Sequence, residues 1–322
     1  MSTPTKISGA EAQRAGYSLP HRRLRADLIL LLVSVIWGSA FVAQRVAAIH
    51  MDIYLYNGAR FLLGALVLLP FAWRQSQSDR KPAGAQRRAW LGIALAGGLL
   101  FGGAAFQGLG LRYTTAANAG FITGLYVVLV PLLLAIGWRQ KPRPQIVIAA
   151  CLAAAGLLLL STGGRVSLAP GDGMEFIGAV LWALHVILIG FLVLHAPVLH
   201  IAIGQNLVCA VLSLGVALSQ VEPDTWARFS SVWWTVVYTG VLSIGVGYTL
   251  QVVGQRDAPP ADASILLSME AVFAALFGWL FLDERLMAVQ LLGCVLMVVG
   301  MVLAQAGVGG RGQQPGEQAP VT

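Results

Sequence analysis

Apolar residues come in long, nearly uninterrupted runs along this chain, with polar and charged residues gathered between them. Spans are predicted at 26–46, 54–73, 89–110, 116–137, 145–162, 174–194, 199–219, 231–252, 262–282 and 287–306. Each is close to the roughly 20 residues that a membrane-crossing helix needs. No Asp, Glu, Lys or Arg stands between Arg88 and Arg112, between Arg112 and Arg139, or between Glu175 and Glu222. The last interval holds two spans joined at His195-Ala196-Pro197, where proline suits a tight turn between helices. The pairs Gly98/Gly102 and Gly120/Gly124 have the GxxxG spacing that lets helix backbones approach closely.

The pattern occurs twice. Gln107, Gly110, Arg112, Ala117 and Ala119 recur 144 residues later as Gln251, Gly254, Arg256, Ala261 and Ala263. Gly156 meets Gly300 at the same offset, and Trp37 meets Trp182 at 145. Five spans per copy is an odd number, so the second copy runs upside down relative to the first. Inverted repeats around a central site are a common architecture of secondary transporters, because mirrored halves give mirrored states. The predicted fold is an all-α polytopic membrane protein, ten transmembrane helices arranged as two inverted five-helix repeats. Its parts are a basic tail at 1–25, a first repeat at 26–162, an external linker at 163–173, a second repeat at 174–306, and a Gly-, Gln- and Pro-containing disordered tail at 307–322.

Composition agrees with a bilayer as solvent. Of 322 residues, 57% are hydrophobic and 11% charged, against about 25% charged in soluble domains; the mean hydropathy is +0.75. The net charge of +7 does not indicate nucleic-acid binding, because the basic residues cluster in the amino-terminal tail and two short loops. Lys6, Arg14, Arg22, Arg23 and Arg25, then Arg74, Arg80, Lys81, Arg87 and Arg88, then Arg139, Lys141 and Arg143 all fall on one side. Lys and Arg mark the cytoplasmic side, which places both termini in the cytoplasm of a multi-pass protein of a bacterial inner membrane. The equivalent loops of the second half, with Glu222, Asp224 and Arg228 and with Asp283-Glu284-Arg285, lack the basic excess, as inversion requires. Cys151, Cys209 and Cys294 lie in apolar stretches and read as packing residues.

No Walker motif, HExxH or paired intramembrane carboxylates occur, so neither ATP-driven transport nor an enzyme is expected, and no cofactor or metal. An intramembrane enzyme and a multidrug efflux carrier of the same fold are the competing readings. A receptor-like protein would not need two inverted halves.

Residues 264–300 read SILLSMEAVFAALFGWLFLDERLMAVQLLGCVLMVVG, with Glu270 mid-span, Gly278-Trp279 after it and Glu284 before the tenth span. Ile36-Trp37-Gly38 opens the first span, Arg60-Phe61 the second, and NAGFITGLYVVLVP runs from Asn118 to Pro131. As a set, these resemble the EamA-type members of the drug/metabolite transporter (DMT) superfamily over nearly all of the membrane part. The resemblance implies a ten-span carrier that exports or exchanges small organic solutes by alternating access. It also implies a central cavity lined by spans one, three, four, six, eight and nine; some members handle aromatic amino acids. The chain departs from the pattern at Ala271, where proline is common, which leaves room for a straighter ninth span. Gln140 stands where an acidic residue is frequent, and Ala183-Leu184 follows Trp182 in place of glycine.

Polar and aromatic residues in those spans form the candidate substrate site: Trp37 and Gln44 in span one, Gln107 in span three, Thr123 and Tyr126 in span four, Trp182 and His185 in span six, and Tyr248 and Gln251 in span eight. An aromatic ring beside an amide can stack one part of an amphipathic solute and hydrogen-bond another; the same groups can also serve helix packing. Glu270, an acidic residue deep in a span, is either a proton-coupling or amine-binding carboxylate or a structural hydrogen bond between helices. His185 is either a packed polar residue or a proton relay. Arg60, beside Asn57, can meet a carboxylate at the cavity mouth, whereas Arg45 snorkels. The expected partners are a small solute and the lipid bilayer, with no nucleic acid; a proton or other ion and a homodimer are left open. Inversion predicts that cysteines placed near Lys81 and near Asp224 react with an impermeant thiol reagent from opposite faces of the membrane. Labelling of both from one face refutes the repeat.

Overall fold

The computed structural model describes residues 20–75, 83–110, 113–114, 116–164, 169–220, 225–282 and 285–306. The basic tail up to residue 19, Arg80 and Lys81, Arg112, Arg165, Glu222 and Asp224, Asp283 and Glu284, and the carboxy-terminal tail from 307 lie outside the described residues, as does the side chain of Arg45. The first half comprises α1 (Pro20–His50), α2 (Ile53–Gln75), α3 (Ala83–Gly110), α4 (Ala116–Gly124), α5 (Tyr126–Gly137) and α6 (Pro144–Thr162). The second comprises α7 (Asp172–Leu192), α8 (Val198–Ala217), α9 (Thr225–Tyr238), a π-wound stretch (Thr239–Tyr248), α10 (Thr249–Gly254), α11 (Pro260–Ser268), α12 (Glu270–Leu282) and α13 (Ala288–Ala306). Among the described residues nine helical stretches are long and apolar enough to cross a membrane. The 31-residue α1, span one, brings the number to ten and packs along spans eight and nine.

Every backbone donor and acceptor in hydrocarbon must be satisfied within the protein, which leaves the helix as the form these apolar runs can take. The bundle is correspondingly apolar outside, and within its apolar core a set of polar residues is buried. Leu91, Ile136, Val147, Leu291, Val295 and Val302 are exposed, whereas Asn57, Glu175, Gln205, Asn206, Gln251 and Asp262 are buried.

Helix directions show the inversion. Arg23 at the start of span one, Arg143 at the start of span five, Asp262 at the start of span nine and Gln305 at the end of span ten meet at one end of the bundle. This is called the N side here. Span five begins and span ten ends there, so these repeat mates run antiparallel. They pack directly on each other. A methyl group on Gly156 would sit 2.5 Å from the Gly293 carbonyl oxygen, and one on Gly300 would sit 2.8 Å from that of Ala149. Ala149 and Gly293 are themselves 144 residues apart, so the two close approaches are copies of one contact related by a two-fold axis.

Spans four and nine break at equivalent places. The α4–α5 break falls at Leu125 and the α11–α12 break at Met269. Leu125 N–H donates to the Ile122 carbonyl at 3.1 Å, and Met269 N–H to that of Leu266 at 3.2 Å. The ninth span, with Ala271 in place of proline, has a tightened turn at Met269. The tightened turn reproduces that of span four, which has no proline at the corresponding place either.

The GxxxG reading also needs correction. Gly98 has open space where a side chain would go, and Gly120 has only Ser161 at 3.9 Å. Only the second glycine of each pair is a close approach, Gly102 against Leu181 and Gly124 against Leu157, and others outside the pairs are Gly97 against α8, Gly103 against Trp182 and Gly156 against α13. Gly156→Ala and Gly300→Ala should each lower the unfolding free energy by about 1–3 kcal/mol through overpacking. Gly98→Ala should be neutral or stabilising by about 1 kcal/mol from helix propensity. Thermal unfolding in detergent checks the contrast.

Candidate solute-binding site

The two repeat-mate tryptophans enter the core in equivalent ways. Trp37 of α1 lies over Gly247, where a methyl group would stand 2.6 Å from its indole nitrogen; Trp182 of α7 lies over Gly103, where the nearest indole carbon would be 3.0 Å away. Gly103 and Gly247 are themselves 144 residues apart. A methyl group would collide with the indole at Gly247 and crowd it at Gly103. The symmetry fails at the indole N–H. Trp37 Nε1 donates to the Ser243 carbonyl at 3.1 Å, within the π-wound stretch of span eight. Span three is α-helical throughout, and Trp182 Nε1 is buried there with no hydrogen-bond partner. Short π-helical segments are frequent at functional sites.

Between the tryptophans lies a chain of rings. Trp37 and Tyr248 have centroids 4.9 Å apart, Tyr248 and His185 5.9 Å at nearly a right angle, and His185 and Trp182 6.3 Å. Phe61 closes the far flank at 5.9 Å from Tyr248. His185 Nε2 pairs with Gln205 Oε1 at 2.9 Å. Around this cluster several buried polar atoms have no partner: Gln205 Nε2, both side-chain polar atoms of Asn206, and Gln251 Oε1. A buried group without its hydrogen bond costs about 1–3 kcal/mol, so such a concentration marks a place where another molecule can supply the missing partners. Gln205 and Asn206, adjacent amides in the middle of span seven, are absent from the sequence-derived site. Their signal was two neighbouring amides in an otherwise apolar run.

The remaining predicted residues fall into three further groups. Gln107 Nε2 donates to Thr123 Oγ1 at 3.2 Å, and Thr123 Oγ1 donates to Glu175 Oε2 at 3.1 Å. Glu175, in the first turn of α7, is fully buried, a carboxyl that in the sequence only marks the edge of an apolar run. It packs on Gly110, while at the symmetry-related place Leu30 packs on Gly254. The contact on this glycine is thus made by a carboxyl group in one half and by an alkyl group in the other. Tyr126 OH donates to Glu270 Oε1 at 3.3 Å. These two are 144 residues apart, so the bond lies on the two-fold axis itself. Arg60 Nη1 donates to Gln44 Oε1 at 2.7 Å, and the guanidinium stacks on Tyr56 and Phe61. At 8% exposure Arg60 is inside the bundle, not at an open mouth, because Gln44 and two rings hold it there.

At the N side Asp262, 1% exposed, is gripped by Arg23 at 2.6 Å and Arg143 at 2.8 Å. Arg23 also pairs with Asp27 at 3.0 Å. These bonds tie spans one, five and nine together. Beside them a cavity of about 850 Å³ opens, lined by residues of spans one, four, six, eight and nine. None of Trp37, Trp182, His185 and Tyr248 lines it; the aromatic cluster lies deeper in the bundle.

Ten helices in inverted halves around a polar, aromatic interior define a membrane transporter fold. The EamA-like transporter family model matches residues 24–162 and again 169–305, and the chain belongs to that family. It is 31% identical over 287 residues to an uncharacterized transporter of Archaeoglobus fulgidus, covering 88% of this chain and 86% of that one. It is 21% identical to the uncharacterized transporter YoaV of Bacillus subtilis, covering 87% and 96%. A solved crystal structure with 22% identity superposes with a TM-score of 0.75, covering 88% of this chain and 97% of the other, which establishes likeness of fold.

Trp37→Phe removes a made hydrogen bond and should cost about 1 kcal/mol of stability. Trp182→Phe removes an N–H that has no partner, and stability should hold or rise. Paired melting curves of the two variants in one detergent test this; equal losses would count against an unpaired Trp182 N–H.

Proposed function

We propose that this chain moves a small amphipathic organic metabolite, such as an amino acid, across a bacterial inner membrane by alternating access. Both termini are cytoplasmic, and the direction is export. The chain moves its solute unchanged and carries out no reaction on it. The first repeat is taken as 26–162 and the second as 174–306, with the linker 163–173 outside. The observation that carries this reading is the ring chain from Trp37 to Trp182, set on the two symmetry-related glycines and bordered by unpartnered amide groups. Rings that stack and amides that lack partners suit a solute with one apolar and one hydrogen-bonding part.

Alternating access needs two arrangements of nearly equal energy. Two inverted halves offer them, since exchanging the conformations of the repeats turns one state into its mirror. Glu270 and Tyr126 meet where the halves exchange. In this reading that carboxyl links the solute step to a proton, and the same bond also braces the breaks in spans four and nine.

The test uses purified protein in liposomes and counterflow of labelled L-phenylalanine. Gln251→Ala and Trp182→Phe should each slow exchange by about tenfold, the worth of one hydrogen bond to a polar solute, at matched insertion. Glu270→Gln should flatten the pH dependence of transport. Wild-type rates for both binding variants would remove these residues from the pathway, and an unchanged pH profile would leave Glu270 with its structural bond alone.

A further inference from the structure

The N-side cavity has a chemistry of its own. Its volume of about 850 Å³ lies within the roughly 300–1,000 Å³ usual for small-molecule sites. Arg22 and Arg25 of α1 and Arg256 after α10 line it, with Asp257 as the opposing charge. The neighbouring Arg23 is committed to Asp27 and Asp262, whereas Arg22, Arg25 and Arg256 have no ion pair among the described residues. Such guanidinium groups recognise carboxylate and phosphate strongly.

A second observation points the same way. Gln255, 3% exposed, also lines the cavity. Its Nε2 donates to the Val186 carbonyl at 2.8 Å, which fixes the carboxamide and leaves Oε1 without a donor. One turn deeper on the same helix face, Gln251 Oε1 is likewise buried and without a donor. Tyr248, three residues further, belongs to the ring chain. Unpaired acceptors thus run from the cavity towards the aromatic cluster.

We propose that this cavity is a binding site for a group carrying a negative charge beside an N–H donor. The arginines take the anion and Gln255 takes the donor. A free zwitterionic solute has this chemistry, and so does the headgroup of phosphatidylethanolamine. As the entrance to the aromatic site, the cavity rests on the carrier reading above.

The experiment is protection of Arg25 and Arg256 from phenylglyoxal in full-length protein, held in nanodiscs of phosphatidylcholine and read by peptide mass spectrometry. L-phenylalanine should slow modification about tenfold more than benzoate, which has the anion without the N–H donor. Phenethylamine, with the donor alone, should not protect. Gln255→Leu should bring phenylalanine down to the level of benzoate. Arg256→Gln, at the exposed rim, should weaken protection of Arg25 without disturbing a buried group. Protection that appears on adding phosphatidylethanolamine, with no soluble compound present, assigns the site to the headgroup. Equal protection by phenylalanine and benzoate, or no protection by either phenylalanine or phosphatidylethanolamine, overturns the proposal. The assay reads binding without movement. Lost protection with intact counterflow removes this site alone, and intact protection without counterflow removes the carrier reading alone.

Discussion

A two-fold axis in the plane of the bilayer constrains everything else in this bundle. When two five-helix halves are related by such an axis, residues near it must meet their own repeat mates. Tyr126 and Glu270 do so through a hydrogen bond, and spans five and ten do so through Gly156, Gly293 and Gly300. A helix pair that meets itself cannot use bulky side chains on both faces, so glycine and alanine stand where spans five and ten cross. In a membrane, where lipid is as apolar as leucine, such close packing is the main attraction between helices.

The symmetry is strongest in the scaffold and weakest where chemistry concentrates. Trp37 and Trp182 seat on equivalent glycines, yet only Trp37 finds a carbonyl for its N–H. Leu30 on Gly254 becomes Glu175 on Gly110. Span eight carries a π-wound stretch where span three is α-helical. If the halves exchange conformations during a cycle, these differences make the two end states chemically unequal. In such a carrier unequal ends change the affinity and rate met on each face, whereas the net direction is set by the gradients of the solute and of any coupled ion.

Polar groups in this interior fall into two classes. Those that are paired, such as Asp262 with its two arginines, fix helices in place, since a buried charge is tolerated only with partners. Unpaired buried atoms occur around the ring chain and along span eight, and also at Glu175, His200 and Gln305. The first class braces the scaffold and the second leaves hydrogen-bonding capacity unused, a division that residue type does not reveal. Both classes contain glutamine, arginine and carboxylate.

Much of the architecture was legible in the sequence. Ten apolar runs, their odd number per repeat and the offset of 144 residues follow from bilayer thickness and from residue identities, which are local properties. Trp37, Trp182, Tyr248 and His185 were likewise legible as aromatic and polar intruders in apolar runs. The sequence did not reveal which glycines touch, because GxxxG spacing says nothing of which face meets a partner; Gly98 meets none and Gly103 meets Trp182. Nor could it place Arg60 inside the bundle, show Glu175 fully buried, or bring Gln205 to His185. Those facts depend on how helices distant in sequence rotate against one another. Rotation is set by the sum of many small contacts across the bundle, and no stretch of the chain carries it alone.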